Sequence, residues 1–454
     1  MRRLTTPHLV LAGLAALAVG VGALEGLVFA PRPAENGRVH ITYWEKWSGF
    51  EFDAIEAAVK TYNETEGKRD GVYVDLVNVS QVDRKVLLTV AGAHPPDLAG
   101  NWSINVAPFA EREALTPLDE FMEGDEEANL NLLVSKYVET CRYGGKLWAL
   151  PIVPATTALF YNRRLFREAG LPDRGPRTIA ELDEFTRELE KFDEEGNLVQ
   201  AGFLHPEPNW WRWCWGYYFG GRITDGEGRV LPDTGPWIQA LTWINRCAER
   251  VGRDRAVSIQ TGPGKFDTPY NAFIAERVAM VMQGVWMPNF ISRYNRGLEY
   301  GVAPFPAETY DPKNPVTQVE TDAITMPRGC RHPKEAWKFM KFLAFGEGAE
   351  ILCEGQGKHT CLRRLTDEYA ARNRNPHVKF FHGLAFSERT YVVGKFPIFA
   401  KFRDEMNVAF DRVWQNKQGK DGWTPEKAVN AARREIQKAL KRNMERTEYT
   451  PPAQ

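Results

Sequence analysis

The stretch from Val39 to Val79 limits the possible folds more than any other part of the chain. VHITYW (Val39–Trp44) is rich in β-branched and aromatic residues and reads as a strand. EFDAIEAAVKTYNETEG follows, with Phe52, Ile55, Val59 and Tyr62 at helical spacing. GVYVDLVNV then sets Val72, Val74, Leu76 and Asn78 on one side of a second strand. Strand, helix and strand within about forty residues is a crossover unit, so a parallel sheet with helices on its faces is predicted. PPDLAG predicts the next short strand and delivers Asn101 and Trp102 to its carboxyl end, where ligands sit in open α/β sheets.

The pattern continues with TTALFYN (Thr156–Asn162) as a strand and RRLFREAGLP as an amphipathic helix stopped by Gly170 and Pro172. TIAELDEFTRELEKF opens on Thr178 with Glu181 three residues later, a capping box. AMVMQGVW is a strand ending in Gly-x-Trp, ahead of YGVAPFPA and ETDAITMP. HPKEAWKFMKFLA and TPEKAVNAARREIQKAL predict helices near the end. No internal repeat, low-complexity tract or heptad run interrupts this alternation. With 454 residues the chain exceeds what one hydrophobic core usually serves, which predicts two domains.

Arg2 and Arg3 precede LVLAGLAALAVGVGA (Leu9–Ala23), the charged start and apolar centre of an export signal, and Val21-Gly22-Ala23 offers a small-residue cleavage site. The rival reading is an uncleaved membrane anchor reaching Ala30. Both place residues beyond 30 outside the cytoplasm, periplasmic or otherwise extracytoplasmic, and no nearby cysteine offers a site for lipid attachment. The 58 Lys and Arg against 59 Asp and Glu leave no net field for nucleic acid or an acidic membrane surface. The six cysteines include no CxxC, and Cys353 with Cys361 is the pair closest in sequence for a disulfide.

The chain carries no GxSxG, HExxH, GxxxxGK[ST] or strand-to-helix GxGxxG. The histidines are scattered and suggest no metal, and His205, His332, His359, His377 and His382 are expected at the surface or at caps. Nothing calls for a cofactor. The distinctive feature is aromatic: EPNWWRWCWGYYFGG (Glu207–Gly221) holds Trp210, Trp211, Trp213 and Trp215 within six residues. On a helix, Trp210, Trp213 and Tyr217 would share one stripe and Trp211, Trp215 and Tyr218 a second, so one aromatic face is expected to serve something other than a core. Trp243, Trp337, Trp414 and Trp423 lie on helical stretches and are assigned to packing. Indole rings cover the apolar C–H face of a sugar, while Asn, Asp, Glu and Arg satisfy its hydroxyl rim. Glu207 and Asn209 beside Trp210 and Trp211 supply both kinds of group.

ITYWEKWSG, PPDLAGNWSINVAPFAEREALTPLDEF, YGGKLWALPIVPATTALFYNRRLFREAGLP, AMVMQGVW, YGVAPFPA and HPKEAWKFMKFLAFGEGAE occur here in one order. Between about Val39 and Leu440 the chain resembles the extracellular solute-binding proteins of bacterial ABC importers, in the carbohydrate-binding class that includes maltose-binding protein. The resemblance implies an α/β, two-lobed periplasmic-binding-protein type II fold, with mixed sheets flanked by helices and a hinge of several crossings. It places residues 39–152 with 321–358 in lobe one, 153–320 with 359–445 in lobe two, and 446–454 in a tail. It implies ligand contacts at Trp44 and Glu45 after the first strand, at Asn101 and Trp102, at Glu207, Asn209, Trp210 and Trp211, and at Trp286. Phe396 or Phe399 would line the cleft late in the chain. The implied partners are a carbohydrate and the transmembrane subunits of an ABC permease, with the protein acting as a monomer.

Two departures stand out. The maltose-binding branch has an acid in the first crossing, where this chain reads Pro154-Ala155-Thr156, and Lys46 and Trp47 replace a small polar turn. Two alternatives to a transport receptor stay open: an exported carbohydrate-active enzyme, since paired carboxylates about 5–10 Å apart leave no sequence spacing, and a sugar receptor for a signalling partner.

Overall fold

A computed structural model describes residues 37–225, 229–231, 233–262, 265–416 and 422–448. The expected export segment 1–30 and residues 449–454 lie outside them. The strands in chain order are β1 (Val39–Glu45), β2 (Val72–Asn78), β3 (Leu98–Trp102), β4 (Arg142–Tyr143), β5 (Lys146–Leu147), β6 (Ala149–Asn162), β7 (Lys191–Phe192), β8 (Leu198–Phe203), β9 (Val278–Gly284), β10 (Tyr300–Ala303), β11 (Thr317–Thr325) and β12 (Thr390–Val392). The main sheet runs β2-β1-β3-β11-β6-β9-β8-β7, with β10 also on β6 and β12 also on β11.

The crossover unit forms as its pattern dictates. β1 and β2 pair in parallel from Val39↔Val72 to Glu45↔Asn78, joined by the helix Phe50–Glu64, which buries Ile55, Val59 and Tyr62. The helix Ile179–Leu189 starts where its cap predicts, with the Thr178 hydroxyl accepting from Glu181 N at 3.2 Å. The reciprocal half of the box is altered: Glu181 accepts from the backbone of Arg177 and from the Arg174 guanidinium instead.

Two strands make the fold two-lobed. β6 is buried along nearly its whole length, and it changes neighbours halfway. Its first half pairs antiparallel with β11 (Ala149↔Thr325 to Thr156↔Val319), and its second half pairs with β9 and β10. Pro151 and Pro154, which have no N–H to give, sit where the β11 ladder shifts register between Asp322 and Ala323.

On one side of this crossover, Ile41, Tyr43, Tyr62, Tyr137, Ile152 and Phe339 belong to one core. On the other, Phe166, Phe203, Trp213, Trp243, Phe402 and Trp414 belong to another. The chain returns to the second lobe later than the expected boundary after 358. Cys361, Tyr369 and Val378 pack in the first core, and Val393, Phe399 and Phe402 in the second, so the return falls beside β12. The helix Pro425–Glu448 carries the chain past the expected lobe end at 445. No helix among the described residues is long and apolar enough to cross a membrane.

Several side-chain expectations are overturned. His205 and His359 are fully enclosed, and desolvation pushes both imidazoles down to about 3, so they are neutral packing groups rather than surface or capping ones. His382 is also buried, its Nε2 at 3.0 Å from Leu362 O. Cys353 and Cys361 are free thiols, both buried in the first core, not a disulfide. Trp243, Trp337 and Trp414 pack on helices as expected, whereas Trp423 precedes its helix and lies under Arg412, 4.0 Å from the ring centre.

Candidate functional site

In the first lobe, the carboxyl ends of β1 and β3 meet the crossing strand β11. β1 is central in its part of the sheet, so neighbouring side chains go to opposite, equally covered faces. Tyr43 faces Phe339, and Trp44 goes the other way into a cluster with Val79, Val82, Val86 and Phe109. Trp44 therefore packs within the first lobe, although it was expected at the ligand.

Glu45 is also sealed, for a different reason. Its carboxylate accepts from Tyr43 OH at 2.5 Å and from Lys46 N at 2.7 Å, and it lies so close to β3 that a Cβ on Gly100 would fall 1.9 Å from its Oε2. Only glycine at position 100 leaves room for this carboxylate. Lys46 then bridges Glu45 at 3.3 Å and Asp322 of β11 at 2.8 Å, with only 4% of its side chain exposed. Burial works against the Lys46 charge, but Asp322 and Glu45 outweigh it and hold the ammonium above its ordinary range.

The same ammonium lies 4.5 Å from the Trp47 ring centre and 5.2 Å from that of Trp102. Trp102 is 40% exposed. Asn101 is buried and committed, its Oδ1 accepting from Trp102 N and from Asn105 Nδ2, each at 2.9 Å. Its carbonyl oxygen sets the Trp102 turn.

In the second lobe, the tryptophan-rich stretch is not a long helix. Residues 205–214 form turns and only Trp215–Phe219 is helical, as a short 3-10 segment. Asn209 adopts φ +77°, a left-handed value that Asn tolerates and that breaks any helical stripe. The four indoles divide accordingly. Trp213 and Trp215 are buried in the second core, against Phe399 and Trp243 respectively. Trp211 lies at its edge, and Trp210 is 36% exposed. Trp210 leans on Phe266 (4.4 Å between ring centres) and on Trp286 (5.8 Å), which follows β9 and also touches Trp211 (6.0 Å).

Glu207 precedes these indoles in the chain, with Oε2 accepting from Thr261 N at 2.9 Å and a buried Oε1 that has no partner among the described residues. Burial raises its carboxyl above the ordinary range. Asn209 is exposed beside Trp210. Phe396 is half-buried on Phe399 and Phe402, next to Lys395, whose ammonium meets Glu139 of the first lobe at 2.7 Å. Phe399 itself is core.

Lys358 joins the two halves. Its ammonium pairs with Glu51 of the first lobe at 3.0 Å, bonds Gln356 at 2.7 Å, and lies 5.9 Å from the Trp286 ring centre. The Asn289 amide donates to Gln356 O, and Phe50 meets Phe290 edge-on at 6.3 Å. Sequence spacing could not supply Glu51, Asp322 or Lys358 as site residues. They are brought in by crossings between distant segments, and only Lys46 and Trp47 carried a signal, as departures from the resembled pattern.

The structure thus defines a class: a two-lobed α/β protein whose aromatic and charged groups from both lobes converge beside the strands that join them. The chain belongs to the bacterial extracellular solute-binding protein family, whose model matches residues 51–350. It is similar to the maltotriose-binding protein of Pyrococcus abyssi, 23% identical over 325 residues; the match covers 68% of this chain and spans 63% of that relative. Among solved structures it is similar to CpMnBP1 with mannobiose bound, at 24% identity and TM-score 0.72, covering 88% of this chain and 100% of that one. The sugar-binding protein MalE of Xanthomonas citri gives TM-score 0.72 at 16% identity, covering 91% and 100%.

Proposed function

We propose that this chain binds a saccharide between its lobes, outside the cytoplasm, and delivers it to the membrane subunits of an ABC-type permease. The observation that carries this reading is the set of partly exposed indoles on both sides of the crossing: Trp102 on the first lobe, Trp210 and Trp286 on the second. Each stands beside fixed polar groups, Lys46 with Asp322 at the first, Glu207 and Lys358 at the second. A pyranose needs both surfaces at once, because its C–H face is apolar and each buried hydroxyl left unpaired costs about 1–3 kcal/mol. The names of the relatives, which bind maltotriose or mannobiose, support the same chemical class.

The residues proposed to touch ligand are Trp102, Trp210, Trp211, Trp286, Glu207, Asn209 and Phe396; Trp44, Glu45 and Asn101 serve the first lobe's own structure. The family's members are solute-binding proteins, and this reading takes the chain as a non-enzymatic monomer without cofactor or metal. Calorimetric titration with a panel of mono- and oligosaccharides including maltotriose and mannobiose, alongside peptides and a polyamine, tests it. Stacking on three rings contributes about 0.5–1.5 kcal/mol per ring beyond area burial, so with satisfied hydroxyls a micromolar Kd is expected for at least one sugar. Heat only from a peptide or polyamine would overturn the saccharide reading, and turnover of the sugar would favour an enzyme.

A further inference from the structure

On β11 the side chains alternate strictly up to the register shift. Val319 belongs to the first core, and Thr321 bonds Thr140 at 2.7 Å on the same side. Gln318, Glu320 and Asp322 therefore face the other way. At one end of that row, Asp322 holds Lys46 under Trp102. At the other, Gln318 is buried with both amide atoms lacking a hydrogen-bond partner among the described residues.

Glu320 stands between them in the row, close enough to the second-lobe segment for its charge to act on Cys214 and Tyr217. Its carboxylate makes no hydrogen bond and no ion pair among the described residues, although its neighbour in the row, Asp322, pairs with Lys46. Opposite it on β6 is Ala155, which brings no side-chain donor to the carboxylate. An acid held this way weakens the fold, so a structural role does not account for it.

We propose that Glu320 is a specificity-determining ligand contact on the floor between the lobes, its carboxylate accepting hydrogen bonds from adjacent hydroxyls of the bound saccharide. The inference rests on the saccharide reading above and names the group that sorts one hydroxyl pattern from another. Sugars that lack hydroxyl donors at that point leave the carboxylate unpaired and are rejected.

The charged and titratable groups acting on Glu320 come from each element around it: Asp322 on its own strand, Arg403 from the helix Phe399–Trp414, and Cys214 and Tyr217 from the tryptophan-rich segment. Burial, with the Asp322 charge adding to it and Arg403 opposing, pushes the Glu320 carboxyl up to about 7. Ligand that bonds the ionised form then binds more tightly as pH rises through neutrality. Stability runs the opposite way. A carboxyl raised on folding adds a penalty that is absent below its unfolded value and grows until pH passes its folded one.

Glu320→Gln keeps the shape and removes the charge. Titrated with whichever of maltotriose, mannobiose or the other panel sugars binds the native chain, the variant should bind about 10-fold or more weakly. It should melt at the same or a higher temperature near pH 8, and its affinity should be flat from about pH 6 to about pH 8 where the native affinity rises. Native-like affinity in Glu320→Gln, with no pH dependence in either protein, would overturn the role of Glu320 and leave the saccharide reading standing. Failure of every sugar to bind the native chain would overturn both.

Discussion

Lys46→Met should cost the folded protein about 3–5 kcal/mol, because it strands two buried carboxylates that share one ammonium. Glu45 is fully buried and Asp322 nearly so. With the lysine gone, Glu45 keeps only the Tyr43 hydroxyl and a backbone N–H, and Asp322 has no other ion pair among the described residues. Methionine fills much of the lysine's volume, so the loss reads the charge rather than a cavity. Urea unfolding followed by tryptophan fluorescence measures it. The same substitution removes the cation beneath Trp47 and Trp102, so sugar affinity should fall as well. An unchanged unfolding midpoint would show that the three groups are not bound into one network.

Trp210→Ala should separate binding from folding. Trp210 is more exposed than the other three indoles of its segment and touches Trp211, Trp286 and Phe266 only at its edges and face. Its removal should leave the melting temperature within a degree or two and weaken saccharide binding by about 10- to 100-fold, the range for an exposed aromatic anchor. Trp213→Ala is the control of opposite sign. Trp213 is buried among Tyr217, Phe399 and Phe402, and its truncation should cost about 3–5 kcal/mol of stability through the cavity left behind. If Trp210→Ala bound sugar like the native chain, the second-lobe indoles would lose their assigned role.

The contrast between these residues shows what the sequence could and could not carry. Local periodicity marks β1, the helix Phe50–Glu64 and β2, because alternation and helical spacing are properties of neighbouring residues. The same logic misreads Glu207–Gly221. Two aromatic stripes at helical spacing look like a helix, but Asn209 and the turns after it place each indole by tertiary packing, three in the core or at its edge and one at the surface.

Trp44 was legible as a strand residue and not as a core residue, since nothing local tells which face of a central strand is covered. Trp102, Trp210 and Trp286 were readable as candidates because each follows a strand or loop at the sheet's carboxyl edge. Their charged neighbours were not. Lys358 meets Glu51 across 307 residues, and Lys46 meets Asp322 only because β11 returns antiparallel beside β3. Contacts made by chain crossings leave no spacing to read, and the late return beside β12 moved the lobe boundary for the same reason.

The crystal structure of the protein grown with the saccharide that calorimetry selects tests the central claim most directly. The account predicts pyranose density between the lobes, one ring face within about 4 Å of the Trp210 or Trp286 indole, and a hydroxyl within hydrogen-bond distance of an acid on the floor. Density for the sugar on an outer face of either lobe, with these indoles touching only protein, would contradict it.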